Sequence, residues 1–205
     1  MSGLEAAFRH FVTQQALPGV TELGMFKDTY EKKKADMDIG LSYDAAELEE
    51  VEKAIGHHFK NKGLLALALT APVKGDSSPN CDRLEYLGDV VLEVVAMMAW
   101  IDKGSGTRSA IRTEKTVCNL ALQATCIEIG LDSHIKKCCP KDKAYIEAIK
   151  ALYVQAKTSI PCNKPYWDQG LLCKTLGDVV ESVLGAVFLD PSLKPPVTKA
   201  RLQVA

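Results

Sequence analysis

Asp82-Arg83-Leu84-Glu85-Tyr86-Leu87-Gly88-Asp89-Val90-Val91-Leu92 is the stretch on which the reading of this chain turns. Its apolar positions, continued by Val94, Val95, Met97 and Met98, predict a helix over Asp82–Lys103 with almost no polar face. A helix that is apolar nearly all round belongs in the core of a domain. The string Leu87-Gly88-Asp89-Val90-Val91 recurs as Leu176-Gly177-Asp178-Val179-Val180, inside a second apolar helix expected over Leu172–Leu189. Around the first copy Glu85 and Asp89 are spaced i,i+4; around the second, Asp178 and Glu181 are spaced i,i+3. Both spacings put two carboxylates on one helix face, roughly 5–6 Å apart along the axis.

Like charges at the edge of a core repel and lose hydration, so something positive must offset them. Ordinary solvated ion pairs would interleave Lys or Arg on the same faces, and only Arg83 and Lys174 lie near. Two carboxylate pairs on two buried helices instead make an oxygen-rich cage, the environment that selects Mg²⁺, with Mn²⁺ as a substitute. Gly88 and Gly177 each cost about 1 kcal/mol of helix propensity against alanine. The expected return is close approach of another backbone beside the cage.

The remaining elements are also helical. Ser42 or Asp44 caps a helix that Gly56 stops, Lys62–Thr70 is a short helix, and Val73–Asn80 is a loop by composition. Further helices are expected over about Thr107–Gly130, Leu131–Lys137 and Lys143–Ala156, with Pro140 breaking the chain between the last two. No alternating strand pattern is present, so the fold class is all-α. Residues 1–43 read as a separate segment: an amphipathic helix carried by Leu4, Phe8, Phe11 and Val12, then a polar linker. Residues 44–191 read as the main domain and 192–205 as a tail.

Composition narrows the partners. A net charge of −1 and pI near 6.4 lack the basic excess of a stand-alone nucleic-acid binder. Any grip on a nucleic acid must come from local clusters, from two subunits together or from a helper protein. The clusters on offer are Lys103, Arg108, Arg112 and Lys115, and Lys136, Lys137, Lys141 and Lys143, each equally readable as a solvated helix face. Seven cysteines, odd in number and without a C-x-x-C pair, read as reduced thiols. Neighbouring Cys138–Cys139 and His57–His58 point different ways and make no zinc site. No apolar run approaches the roughly 20 residues of a membrane span, and the N-terminus has no signal-peptide layout. The expected compartment is intracellular.

Residues 82–92 resemble the signature of the ribonuclease III family. Lys174-Thr-Leu-Gly-Asp178-Val-Val-Glu181-Ser-Val-Leu-Gly185 resembles that family's second acidic motif, in the form of its Dicer-like members, where a lysine stands four residues before the aspartate. Val51–Thr70 is similar to the family's opening helices, so the resemblance covers about residues 44–191. It implies an all-helical, dimer-forming endonuclease domain that cuts both strands of double-stranded RNA. By position, Glu85, Asp89, Asp178 and Glu181 match the metal-binding acids and Lys174 matches the Dicer-type lysine. Asp82 stands where a glutamate is usual and is assigned to the outer shell. The helices of the first motif are where family dimers meet.

Several positions depart from the family pattern. Thr70-Ala71-Pro72 lacks a common histidine, and Lys115 stands where an asparagine is common. Only residues 190–205 follow Leu189, too few for a double-stranded-RNA-binding domain, so a separate binding protein is expected to help. The implied chemistry is in-line attack of water at phosphorus, leaving 5′-phosphate and 3′-hydroxyl ends. Lys174 either acts in catalysis, contacting the phosphate or the leaving oxygen, or is a surface lysine before a helix. RNA contacts are assigned to Arg108, Arg112 and Lys115. Two other classes compete: a non-catalytic ribonuclease III-like RNA-binding or assembly subunit, and an all-α Mg²⁺-dependent nucleotide pyrophosphohydrolase.

Overall fold

The computed structural model describes residues 43–102, 118–158 and 171–190. Within them lie six α-helices, one 3-10 turn and no named strand, as the all-α reading expects. The only pairing of strand type among these residues is an isolated parallel bridge between Thr70 and Lys136. The expected helix near the N-terminus lies outside the described residues.

Helix α1 (Ala45–Ile55) starts where the Asp44 carboxylate accepts the Ala46 N–H at 3.1 Å, and it stops at Gly56 in the left-handed region (φ 76°). Its buried face is Leu48, Val51, Glu52 and Ile55. Helix α2 (Lys62–Ala68) is capped by Asn61, which accepts from the Gly63 N–H, and is buried from Leu64 onward. The loop between them is held by two buried carboxylates. Glu52 accepts the Phe59 N–H at 2.9 Å, while Asp190, wholly buried, accepts the Lys60 and Asn61 N–H groups at 3.2 and 3.1 Å and meets His57 Nε2 at 3.3 Å. Burial pushes Glu52 up, but the Phe59 N–H, His58 and Lys62 outweigh it and hold the carboxyl below its ordinary value. His57 and His58 each hydrogen-bond one of these acids, Asp190 and Glu52 respectively. The six described cysteines are free thiols.

Helix α3 (Asp82–Asp102) and helix α6 (Lys174–Leu189) pack against each other most extensively, and α6 also rests on α4 (Asn119–Ile129) and α2. From Leu176 on, every residue of α6 is buried except half-buried Asp178. This is the central helix of the core, as its apolar sequence predicts. For α3 that prediction needs correcting. Leu84, Val91 and Leu92 are buried, whereas Tyr86, Val90 and Val94 are 78%, 49% and 38% exposed. Spaced by four, they form one outward apolar stripe.

Two boundaries also differ from the sequence reading. The segment expected as a helix over Leu131–Lys137 is a 3-10 turn, Leu131–His134. Pro140 does not break the chain but opens helix α5 (Pro140–Thr158). A proline in the first helical turn lacks an N–H that would have no partner there, and its fixed φ suits the helix. Among the described residues no helix is long and apolar enough to cross a membrane.

Candidate active site

The site begins at the crossing of α3 and α6, where two glycines let the backbones touch. A Cβ at Gly88 would lie 1.7 Å from the Glu181 carbonyl oxygen, and one at Gly185 2.3 Å from that of Leu84. Gly88 therefore serves the purpose read from its sequence, and Gly185 shares it. Gly177 does not: a Cβ there would meet the Leu122 side chain at 3.6 Å and the Asn119 carbonyl oxygen at 3.8 Å, both ordinary contacts.

Close approach of the helices joins the two acidic pairs. Glu85, Asp178 and Glu181 each bring a carboxylate oxygen within 4.8 Å of the others. Together with Asp89, Asp82, Tyr86, Asn119 and Lys174 they line one pocket of about 370 Å³. Asp89 is exposed on its rim, as is Asp82 at the first residue of α3. The Lys174 ammonium bridges the two motifs, donating to Glu85 Oε1 at 2.7 Å and to Asp178 Oδ1 at 2.6 Å. Lys174 thus lies in the site, and reaches the first motif as well as its own.

Negative charge is in excess here. Burial, then the charges of Asp89, Asp178 and Glu85, push the Glu181 carboxyl from an ordinary 4.5 up to about 7. Asp178 is also raised, because its burial and the Glu85 charge exceed what the Lys174 hydrogen bond returns. Partial burial pulls the Lys174 ammonium down, but its bonds to Asp178 and Glu85 outweigh that and hold it above the usual lysine value. Three hard oxygen donors, gathered within 4.8 Å of one another and short of positive charge, fit a divalent metal.

Other expected residues fare differently. Arg108, Arg112 and Lys115, assigned to RNA, lie outside the described residues, as does Lys103. Of the second basic cluster, Lys136 pairs with Glu47 at 2.7 Å, and Lys137 pairs with Asp76 and Ser78. Lys141 and Lys143 are exposed at the start of α5. The asparagine that lines the pocket is Asn119, which the sequence reading passed over. Its signal was slight: one polar residue at the head of an apolar run, Leu120–Leu122.

Comparison with known proteins agrees with this geometry. The Ribonuclease III domain family matches residues 82–192. Endoribonuclease Dicer homolog 4 of Oryza sativa subsp. japonica is 33% identical over 152 residues, covering 72% of this chain and 9% of that protein. Dicer-like protein 1 of Aspergillus clavatus is 28% identical over 194 residues, covering 88% of this chain and 12% of that protein. Ribonuclease 3 of Methylocella silvestris is 30% identical over 156 residues, 74% of this chain and 56% of that protein. The chain thus spans about a tenth of the length of the Dicer-type relatives and about half that of the bacterial one. With the family's domain matched across both acidic motifs, and those motifs folded into one pocket, the chain belongs to the ribonuclease III family of endoribonucleases.

Proposed function

We propose that this chain cleaves double-stranded RNA with Mg²⁺, leaving 5′-phosphate and 3′-hydroxyl ends, in RNA processing or small-RNA production inside the cell. The observation that carries the reading is the convergence of Glu85, Asp178 and Glu181 oxygens within 4.8 Å, with Asp89 and Lys174 in the same pocket. Glu85, Asp89, Asp178 and Glu181 would hold the metal, which when bound supplies a Lewis acid that activates water and neutralises the scissile phosphate. The buried backbone contact at Gly88 fixes Glu181 relative to Glu85, and Lys174 offers positive charge at the mouth of the pocket. Asp82, exposed at the pocket wall, acts from the outer shell. Residues 44–191 form the endonuclease domain in this reading, with 1–43 and 192–205 outside it. Contacts to RNA go mainly to phosphates and 2′-hydroxyls, which gives weak sequence preference, and a separate RNA-binding protein supplements them.

The test is purified protein with a long duplex RNA in Mg²⁺ and in EDTA, with product ends sized and their phosphates mapped. Cleavage is expected only with Mg²⁺. Cutting that persists in EDTA would sink the mechanism, and duplex binding without cutting in Mg²⁺ would favour a non-catalytic subunit instead.

A second copy of the chain is the occupant we propose for the exposed stripe of Tyr86, Val90 and Val94. The stripe lies on the helix that carries Glu85 and Asp89, so pairing there would set two active sites near one duplex. The Val90→Glu variant puts a charge in that contact, and is expected to sediment as a monomer and to lose double-strand cleavage. A wild-type protein that sediments as a monomer at micromolar concentration would remove the dimer from the reading.

A further inference from the structure

Lys174 is one helical turn before Asp178 on α6, and its ammonium is shared between that acid and Glu85 on α3. Both acceptors belong to the three-carboxylate cluster, so the lysine sits against two of the three groups that a metal would need. The contact also ties the acidic motifs together across the α3–α6 crossing, where Glu85 and Asp178 are like charges held close. The lysine side chain is 63% exposed, against 24% for Glu85 and 13% for Asp178. The acids are therefore the more enclosed partners, while the long stem of Lys174 reaches them from the solvent side.

We infer that Lys174 is a displaceable counter-ion: it holds Glu85 and Asp178 together until a divalent cation takes its place, and so sets the affinity of the site for metal. This rests on the metal-binding reading above and adds a competitor to it. An ammonium within hydrogen-bond distance of two carboxylates cannot stay there beside a dication without strong repulsion. Binding of metal becomes an exchange of cations, and the displaced ammonium is left at the pocket mouth. Its cost is weaker metal binding; its gain is a site that assembles before metal arrives.

Two variants separate this role from an ordinary structural ion pair. Lys174→Met keeps the stem and removes the charge, while Lys174→Arg keeps the charge. Mg²⁺ affinity is measured by calorimetry, and Tm is measured in EDTA and in saturating Mg²⁺. Lys174→Met is expected to bind Mg²⁺ about fivefold more tightly than wild type, the scale of one partly exposed ion pair. Its Tm is expected to fall in EDTA and to return to the wild-type value in Mg²⁺. Lys174→Arg should stay within about twofold of wild type in affinity. A Lys174→Met protein that folds only with Mg²⁺ is the extreme form of the expected result. Equal or weaker Mg²⁺ binding by Lys174→Met, or a Tm deficit that Mg²⁺ does not reduce, overturns the inference while leaving the metal site standing. A wild-type protein that binds no Mg²⁺ overturns the metal site itself, and the inference with it.

Discussion

Asp178→Asn is expected to lower duplex cleavage by at least roughly a thousandfold while the protein stays folded, a loss on the scale of the several kcal/mol of charge stabilisation a metal ion supplies. The substitution changes almost nothing sterically. The Asp178 backbone carbonyl still accepts the Ser182 hydroxyl, and an amide oxygen can still accept from Lys174. What it removes is one of the three negative charges in the cluster of Glu85, Asp178 and Glu181. Because those charges repel, the variant should be no less stable than wild type in EDTA. The pH dependence supplies a second reading of the same change. Glu181 is held near 7 by burial and by the charges of Asp89, Asp178 and Glu85, and in the proposed metal site its proton must leave first. Wild-type Mg²⁺ affinity should therefore climb as pH rises through about 7 and level off above it. With Asp178 neutral, the Glu181 carboxyl drops toward its ordinary value, so the residual Mg²⁺ affinity should level off at lower pH. Thermal unfolding, calorimetry against pH and single-turnover cleavage check these points. Activity within tenfold of wild type at saturating Mg²⁺ would show that Asp178 is not a ligand.

Much of this site was legible before the fold was known, and the parts that were not have physical reasons. Helical spacing alone put Glu85 with Asp89 and Asp178 with Glu181, because periodicity reports which residues share a face. It cannot report how far each lies from the other helix, so nothing in the spacing separated the compact trio from exposed Asp89. The outward stripe of α3 was hidden for a related reason. An apolar face reads the same whether it is covered by its own core or left for a partner, and Tyr86, Val90 and Val94 look like core in sequence. Asn119 was missed because it comes from a third helix outside both copies of the repeat; only the packing of α4 on α6 brings it to the pocket. Lys174 was evenly balanced between surface and site, and spacing could not show its bond to Glu85, 89 residues away in the chain.

The two glycines of the repeated Leu-Gly-Asp-Val-Val strings show the same limit most sharply, since their substitution by alanine is expected to have opposite consequences. By helix propensity each change should stabilise by up to about 1 kcal/mol. At Gly177 the new methyl would meet the Leu122 side chain at 3.6 Å, an ordinary packing distance, so Gly177→Ala should be neutral or mildly stabilising. At Gly88 the methyl would lie 1.7 Å from the Glu181 carbonyl oxygen and 2.4 Å from its carbon. Those are backbone atoms inside a buried helix, so no change of rotamer relieves the overlap. The helices must separate, and Gly185, whose own Cβ position is 2.3 Å from the Leu84 carbonyl oxygen, marks the other half of the seam that would open. Overpacking of this kind costs about 3 kcal/mol or more, which outweighs the propensity gain and lowers Tm by on the order of 10 °C for a chain of this size. The damage should reach function by a direct route: the backbone displaced is that of Glu181, so the trio of carboxylates spreads and Mg²⁺ should stabilise Gly88→Ala less than it stabilises wild type. Thermal unfolding of both alanine variants, with and without Mg²⁺, measures all of this. A Gly88→Ala protein as stable as Gly177→Ala would mean that α3 and α6 do not cross at van der Waals contact of their backbones, and the geometry that assembles the site would have to be redrawn.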